Sequence, residues 1–194
     1  MNHRHFILHK PYGYLSQFVG ESKKKKRLGE LFPFPAGTMA IGRLDEASEG
    51  LLLLTTDGKM SSFITGQHIE KEYYVQVDGI ITPAVIAELQ KGVVITVEKA
   101  AYRTKPCAVR ILENAPALPP RVRQIRDERH GPTSWITITL TEGKNRQIRK
   151  MTAVVGYPTL RLIRVRIGNI YLHNLFPGEV QEVPDFDLSP SVLN

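Results

Sequence analysis

The chain has 194 residues, 42% of them hydrophobic and 23% charged. That composition suits one domain or at most two small ones, and it excludes a disordered chain, a collagen-like fibre and a coiled-coil rod. Its single cysteine, Cys107, excludes an internal disulfide and a cysteine-rich zinc site, while a net charge of +7 points to nucleic acid or an anionic membrane as partner.

Phe6–His9 reads as a short strand that ends at Lys10-Pro11, and Tyr12-Gly13 starts a turn. Residues 20–30 are charged and read as loop. Leu51–Leu54 is a continuous apolar run before an Asp57-Gly58 turn signal, so it is a buried strand or the start of a buried helix. Tyr73–Val77 alternates, which predicts a half-buried strand. Thr82 as N-cap, Pro83 at the first helical position and Gly92 at the end frame a helix. Val93–Val97 is rich in β-branched residues and reads as a strand. Asn114–Ser134 holds Pro116, Pro119, Pro120 and Pro132, and reads as a long functional loop.

Trp135–Leu140 alternates with Ile136, Ile138 and Leu140 on one face. Asn145–Val155 predicts a helix with Ile148, Met151, Thr152 and Val155 on one arc and Arg146, Arg149 and Lys150 opposite. Ile163, Val165 and Ile167 then alternate with Arg164 and Arg166, a strand with one basic face. The sum is an α+β chain, mostly strands, around a mixed and largely antiparallel sheet.

The cations fall in four clusters: Lys23–Arg27; Arg121, Arg123, Arg126 and Arg129; Lys144, Arg146, Arg149 and Lys150; and Arg161, Arg164 and Arg166. Several cations on one face neutralise phosphates and release counterions, and the arginine fork suits phosphate and base edges. No stretch approaches 18 apolar residues, and the N-terminus lacks the apolar core of a signal peptide. Membrane insertion and secretion are not expected, and the cytoplasm is the expected compartment.

No glycine-rich nucleotide fingerprint, no H-E-x-x-H, no Cys/His metal spacing and no G-x-S-x-G elbow occurs. Any enzymatic chemistry here is expected to use side chains alone, without cofactor or metal. His3, His5 and His9 are close in sequence but read as incidental rather than as ligands.

Residues 42–58 read GRLDEASEGLLLLTTDG. Taken alone, this is a glycine, a polar turn, a buried apolar run and a tight turn, with Asp45 as a turn or cap residue. The wording of the segment closely resembles the catalytic motif of pseudouridine synthases of the RsuA branch. His9-Lys10-Pro11-Tyr12-Gly13 is similar to that family's N-terminal K-P-x-G motif. Lys71-Glu72-Tyr73-Tyr74-Val75 is similar to K-x-Y-x-V, and residues 142–151 to E-G-[KR]-N-R-Q-[IV]-R-[KR]-M. Leu162-Ile163-Arg164 with Ile167-Gly168 resembles L-x-R-x-x-I-G. Pro132-Thr133-Ser134-Trp135 behind the Pro/Arg loop is most similar to the large-subunit ribosomal RNA group E. Only eight residues precede His9, so no N-terminal S4 RNA-binding domain is expected.

The resemblance implies a single catalytic domain over 1–194, of two subdomains around a cleft, with a central sheet flanked by helices. It implies conversion of uridine in RNA to pseudouridine: the base leaves C1′, rotates and rejoins through C5. Asp45 matches the essential aspartate, with attack on C1′, attack on C6 and removal of the 2′ proton as its open roles. Arg149 is implied as its ion-pair partner and Tyr73 as the active-site tyrosine that stacks on uracil. Arg43 fills the space the base leaves, holds a phosphate or supports the loop. Leu162 lines the uracil pocket or is ordinary core. Lys10, Arg121, Arg123, Arg126, Arg146, Lys150 and Arg164 are the candidate RNA contacts. A buried uridine must be flipped out of its stack to be reached.

Ribosomal RNA of the large subunit is the expected partner, met by a monomer. The same chemistry on tRNA, a non-catalytic rRNA-binding assembly factor and a basic ribosomal structural protein are the competing readings.

Overall fold

A computed structural model describes residues 3–22, 24–66, 69–121, 123, 125 and 128–187. Lys23 and Arg126 lie outside the described residues. The chain forms two compact units: Met1–Ile69 with Ile163–Asn194, and Glu70–Leu162.

The first unit opens with β1 (His5–Lys10), β2 (Tyr14–Leu15), β3 (Lys26–Arg27), a 3-10 turn at Leu28–Glu30, β4 (Met39–Ile41), β5 (Glu49–Thr55) and α1 (Gly58–Gly66). The second unit holds β6 (Lys71–Asp78), α2 (Pro83–Lys91), β7 (Val94–Val97), β8 (Ala100–Arg103), β9 (Ala108–Leu112), a 3-10 turn at Glu128–His130, β10 (Thr133–Leu140) and α3 (Gln147–Val154). The chain returns to the first unit within β11 (Thr159–Ile167), followed by β12 (Ile170–Tyr171) and β13 (Val180–Val183).

In the first unit the sheet order is β13-β1-β5-β11, with β4 also on β5 and β12 on β11. β1 and β5 are antiparallel, with Phe6 opposite Leu54 and Leu8 opposite Leu52. β11 runs parallel to β5, with Ile163 opposite Glu49 and Arg164 opposite Gly50. All seven residues of β5 are buried, which settles Leu51–Leu54 as a strand. A continuous apolar run fits a strand covered on both faces. Phe6, Leu8, Leu28, Leu52 and Leu54 form one core cluster, against which Phe18, Phe32 and Phe34 pack.

In the second unit β6 and β9 flank β10, both antiparallel to it. Tyr73, Val75 and Val77 are the buried face of β6, and Ile136, Ile138 and Leu140 are buried on β10, as the alternation predicts. α2 buries Ile86 and Leu89 and ends at Gly92 with φ +84. Thr82 occupies its N-cap position without a side-chain cap bond. The Pro/Arg loop is tied at its base by two reciprocal bonds. Arg161 Nη2 donates to the Pro119 carbonyl (2.9 Å) and Arg121 Nη1 to the Leu160 carbonyl (3.3 Å).

Four expectations need correction. Residues 20–30 are not all loop: Lys26–Arg27 pairs with Tyr14–Leu15, and a 3-10 turn follows. Asp57-Gly58 is not a bare turn but the entry to α1, where Asp57 Oδ1 accepts the Lys59 N–H (2.8 Å). Such a carboxylate satisfies an otherwise orphaned helix-start donor. α3 begins at Gln147 rather than Asn145 because Arg146 has left-handed backbone, φ +52. The centre of β11 has no open basic face: Arg161, Leu162, Ile163 and Arg164 are all buried. No helix among the described residues is long and apolar enough to cross a membrane.

Candidate active-site residues and family

In the first unit, four hydrogen bonds shape the loop that carries Asp45. Ser16 Oγ donates to the Leu44 carbonyl (2.8 Å) and accepts the Leu44 N–H (3.0 Å). The Gly13 N–H donates to the Glu46 carbonyl (2.8 Å), and the Ser48 N–H to the Asp45 carbonyl (3.0 Å). The turn after β1 and the loop before β5 are therefore laced together, and Asp45, in that loop, is half-buried. Arg43 is exposed two residues before it. Glu46 pairs on the surface with Lys25, at 2.6 Å.

Lys10 closes β1 and is 0% exposed. Its Nζ donates to the carbonyls of Pro11 (3.0 Å) and Tyr14 (2.7 Å), which holds the turn. An amine with no surface cannot reach an RNA phosphate, so the expected RNA contact at Lys10 is corrected to a buried group that holds the turn after β1. Burial pushes the Lys10 ammonium down to about 7, and the nearby carboxylates of Glu49, Asp45 and Glu46 pull back against that fall while Arg164 adds to it. Glu49 is itself buried at the start of β5. Arg164 is buried too, so it is no open RNA contact; its Nε donates to the Leu51 carbonyl (2.8 Å), and its buried Nη2 has no hydrogen-bond partner among the described residues.

A lysine depressed in the native state binds its proton more tightly once unfolded. Between about pH 7 and the ordinary lysine range, the unfolded chain holds the proton and the native chain does not, so stability rises with pH there. Denaturant unfolding of wild type beside Lys10→Met checks this. Wild type is expected to gain about 2 kcal/mol from pH 7 to pH 9 relative to the variant. Parallel pH curves for the two proteins would refute the depressed lysine.

In the second unit, Tyr73 lies on the buried face of β6, opposite Ile138 of β10. Arg149 is half-buried on α3, and its Nη1 reaches the Thr159 carbonyl at 3.5 Å. Thr152 and Thr159 share a hydroxyl hydrogen bond of 2.7 Å, which ties α3 to the start of β11. Leu162 is buried on β11, while Arg146 is exposed just before α3 and Lys150 is half-buried on it. Arg123 and Arg129 are exposed on the Pro/Arg loop, whereas Arg121 is half-buried as a loop anchor.

Among the described residues no group of three or more His, Cys, Asp or Glu is placed to hold a metal ion. His5 and His9 are buried and bonded, through Nδ1, to Thr55 Oγ1 (3.0 Å) and the Leu175 carbonyl (2.7 Å). Glu142 and Gln147 were legible only as letters of a motif. The structure makes them a bonded pair, Gln147 Nε2 to Glu142 Oε1 at 2.6 Å.

Residues 4–154 match the family model for RNA pseudouridylate synthase. The chain is 45% identical over 175 residues to a ribosomal large subunit pseudouridine synthase E of Xanthomonas campestris, covering 89% of this chain and 91% of that one. It is 40% identical over 184 residues to the protein of that name from Vibrio parahaemolyticus, covering 94% and 74%. Its fold is similar to a crystal structure of a pseudouridylate synthase, with TM-score 0.74, 26% identity, and coverage of 93% and 70%. The laced Asp45 loop and the matched sequence around it lead to one conclusion, that this chain belongs to the RNA pseudouridylate synthase family.

Proposed function

We propose that the chain isomerises uridine to pseudouridine in large-subunit ribosomal RNA, as a cytoplasmic monomer. The observation that carries this reading is the G-R-L-D segment itself. It holds a half-buried carboxylate on a hydrogen-bonded loop beside a buried lysine, in a chain of this family.

The reaction breaks the C1′–N1 bond and forms C1′–C5. The hydrogen leaves C5 for solvent and N1 regains a proton, so nothing is gained or lost overall. Asp45 is the proposed reactive carboxylate, by attack on C1′ or C6 or by removal of the 2′ proton. Tyr73 is the proposed ring that faces uracil, and Arg149 the proposed cation of the reaction. Arg43, exposed beside Asp45, is the proposed contact to the RNA strand. Flipping a uridine out of its stack costs a few kcal/mol, and backbone contacts must supply it.

Tritium release from [5-³H]uridine-labelled RNA tests the reading, with 23S rRNA, 16S rRNA and tRNA in parallel. Release from 23S rRNA alone is expected. Release from tRNA alone would keep the chemistry and replace the substrate, and no release with intact binding would favour an assembly factor.

The exposed arginines of the anchored loop give a separate prediction. Arg123→Glu with Arg129→Glu should weaken RNA binding about tenfold and flatten its salt dependence, because each lost phosphate contact takes about one counterion from the slope. An unchanged slope in a salt titration would remove this loop from the binding surface.

A further inference from the structure

Residues 141–146 join β10 to α3, which starts at Gln147. Lys144, Asn145 and Arg146 are exposed along this turn, and Arg146 is held in the left-handed region at φ +52. A residue with a Cβ persists there only when its surroundings hold it. Glu142 Oε1 accepts the Lys105 N–H (2.9 Å) and Gln147 Nε2 (2.6 Å), and Oε2 accepts the Tyr102 hydroxyl (2.5 Å). Gln147 Oε1 in turn accepts the Lys144 N–H (2.9 Å), which closes the turn on itself. The Tyr102 ring carries Lys144 Nζ at 4.9 Å from its centroid.

The turn therefore holds an acid whose bonds to Tyr102, Lys105 and Gln147 leave Lys144 to the aromatic ring. Both Glu142 oxygens are taken by uncharged donors: a hydroxyl, a backbone N–H and an amide. Lys144 rests on an aromatic face, which steers an ammonium while leaving it open to an anion. Tyr102 lies on β8, outside every sequence motif, and it seats the acid with its hydroxyl and the cation with its ring. Burial works against the charged form of Glu142, but the bonds from Tyr102, Lys105 and Gln147 outweigh it and hold the carboxyl below its ordinary range. The Glu142 bond raises the Tyr102 hydroxyl, so it stays a donor at neutral pH.

We infer that Glu142 is a positioning residue for RNA: with Tyr102 and Gln147 it fixes Lys144, in the turn before α3, in the form that grips a phosphate of the substrate backbone. This rests on the proposed reading that the chain acts on RNA.

The test is binding of a 23S rRNA transcript across a salt series, with kcat and KM for tritium release measured alongside. The variants are Glu142→Gln, Lys144→Ala, their double, and Tyr102→Phe. Charge alone says that removing an acid tightens RNA binding. The clamp says the opposite. Glu142→Gln and Lys144→Ala should each weaken binding about fivefold and lower the salt slope by roughly 0.7 to 0.9. The double variant should be no worse than Lys144→Ala, and the loss should lie in KM with kcat unchanged. Tyr102→Phe, which keeps the ring under Lys144, should weaken binding in the same direction, about twofold to threefold; it carries the test if Glu142→Gln folds poorly.

Tighter or unchanged binding by Glu142→Gln, losses that add in the double, or a loss confined to kcat would each overturn the clamp. Wild type that binds RNA but releases no tritium would overturn the isomerase reading instead, and the binding arm would still decide the clamp.

Discussion

Asp45→Asn is expected to abolish tritium release, by about 10⁴-fold or more, while RNA affinity stays within about twofold. The substitution is nearly isosteric, and the bonds from Ser16 to Leu44, from Gly13 to Glu46 and from Ser48 to the Asp45 carbonyl run through backbone atoms and the Ser16 hydroxyl, which the substitution leaves in place. The loop should therefore keep its form. What is lost is a negative charge and a nucleophilic or basic oxygen, and each of the three proposed roles needs that ionised group. No cation is removed, so the counterion slope has no reason to change. A second readout comes from Lys10. Asp45 is one of the carboxylates that pull the Lys10 ammonium up against burial, so the variant should titrate Lys10 lower than wild type. A variant with full turnover would remove Asp45 from the chemistry. Lost turnover together with lost RNA binding would make it a structural residue of the loop.

The fold could be read where burial follows one local rule. The apolar residues of β6 and β10 alternate; β6 follows the pattern residue by residue, whereas on β10 Thr137 is buried as well as Ile136 and Ile138. Leu51–Leu54 could not be resolved by period alone, because a strand paired on both sides and covered on both faces has no polar side to show. α1 was missed because its sequence, GKMSSFITG, buries only Ile64 and offers no amphipathic stripe. Its start is set by Asp57, which looks like half of a turn signal. The two-residue error at α3 has a similar origin, since no propensity places an arginine in the left-handed region.

The proposed reactive residues lie in motif matches, whereas several of the candidate cations misled. Asp45, Tyr73 and Arg149 stand within long motif matches, whose wording carries them. Lys10, Arg161 and Arg164 look like surface charge, because lysine and arginine are almost never fully buried without partners. Their burial is set by contacts far off in sequence, such as Arg164 Nε with the Leu51 carbonyl, 113 residues away. Local pattern contains no trace of such a pairing. The same holds for Tyr102, which gains meaning only when β8 meets the Glu142 carboxylate.

Gly50→Ala is expected to cost about 3 kcal/mol or more, which for a chain of this size lowers the melting temperature by roughly 6–12 °C. Glycine inside a strand ordinarily weakens it. Here the backbone needs it twice over. Gly50 has φ +105, a region that residues with a Cβ avoid. An added Cβ would also lie 2.3 Å from the Arg164 carbonyl oxygen and 2.7 Å from its nitrogen. Those are backbone atoms of the parallel neighbour β11, so no side-chain rotation relieves the clash; the strands must part. Parting them disturbs Glu49 and Arg164 together, and with them the charges that surround Lys10. Gly58→Ala is the control, because it opens α1 with nothing within 4 Å of the added carbon, and alanine favours a helix. Thermal melts of the two variants should separate widely. If Gly50→Ala melted with wild type, the close approach of β5 and β11 would not be what holds Glu49 and Arg164 beside the lysine.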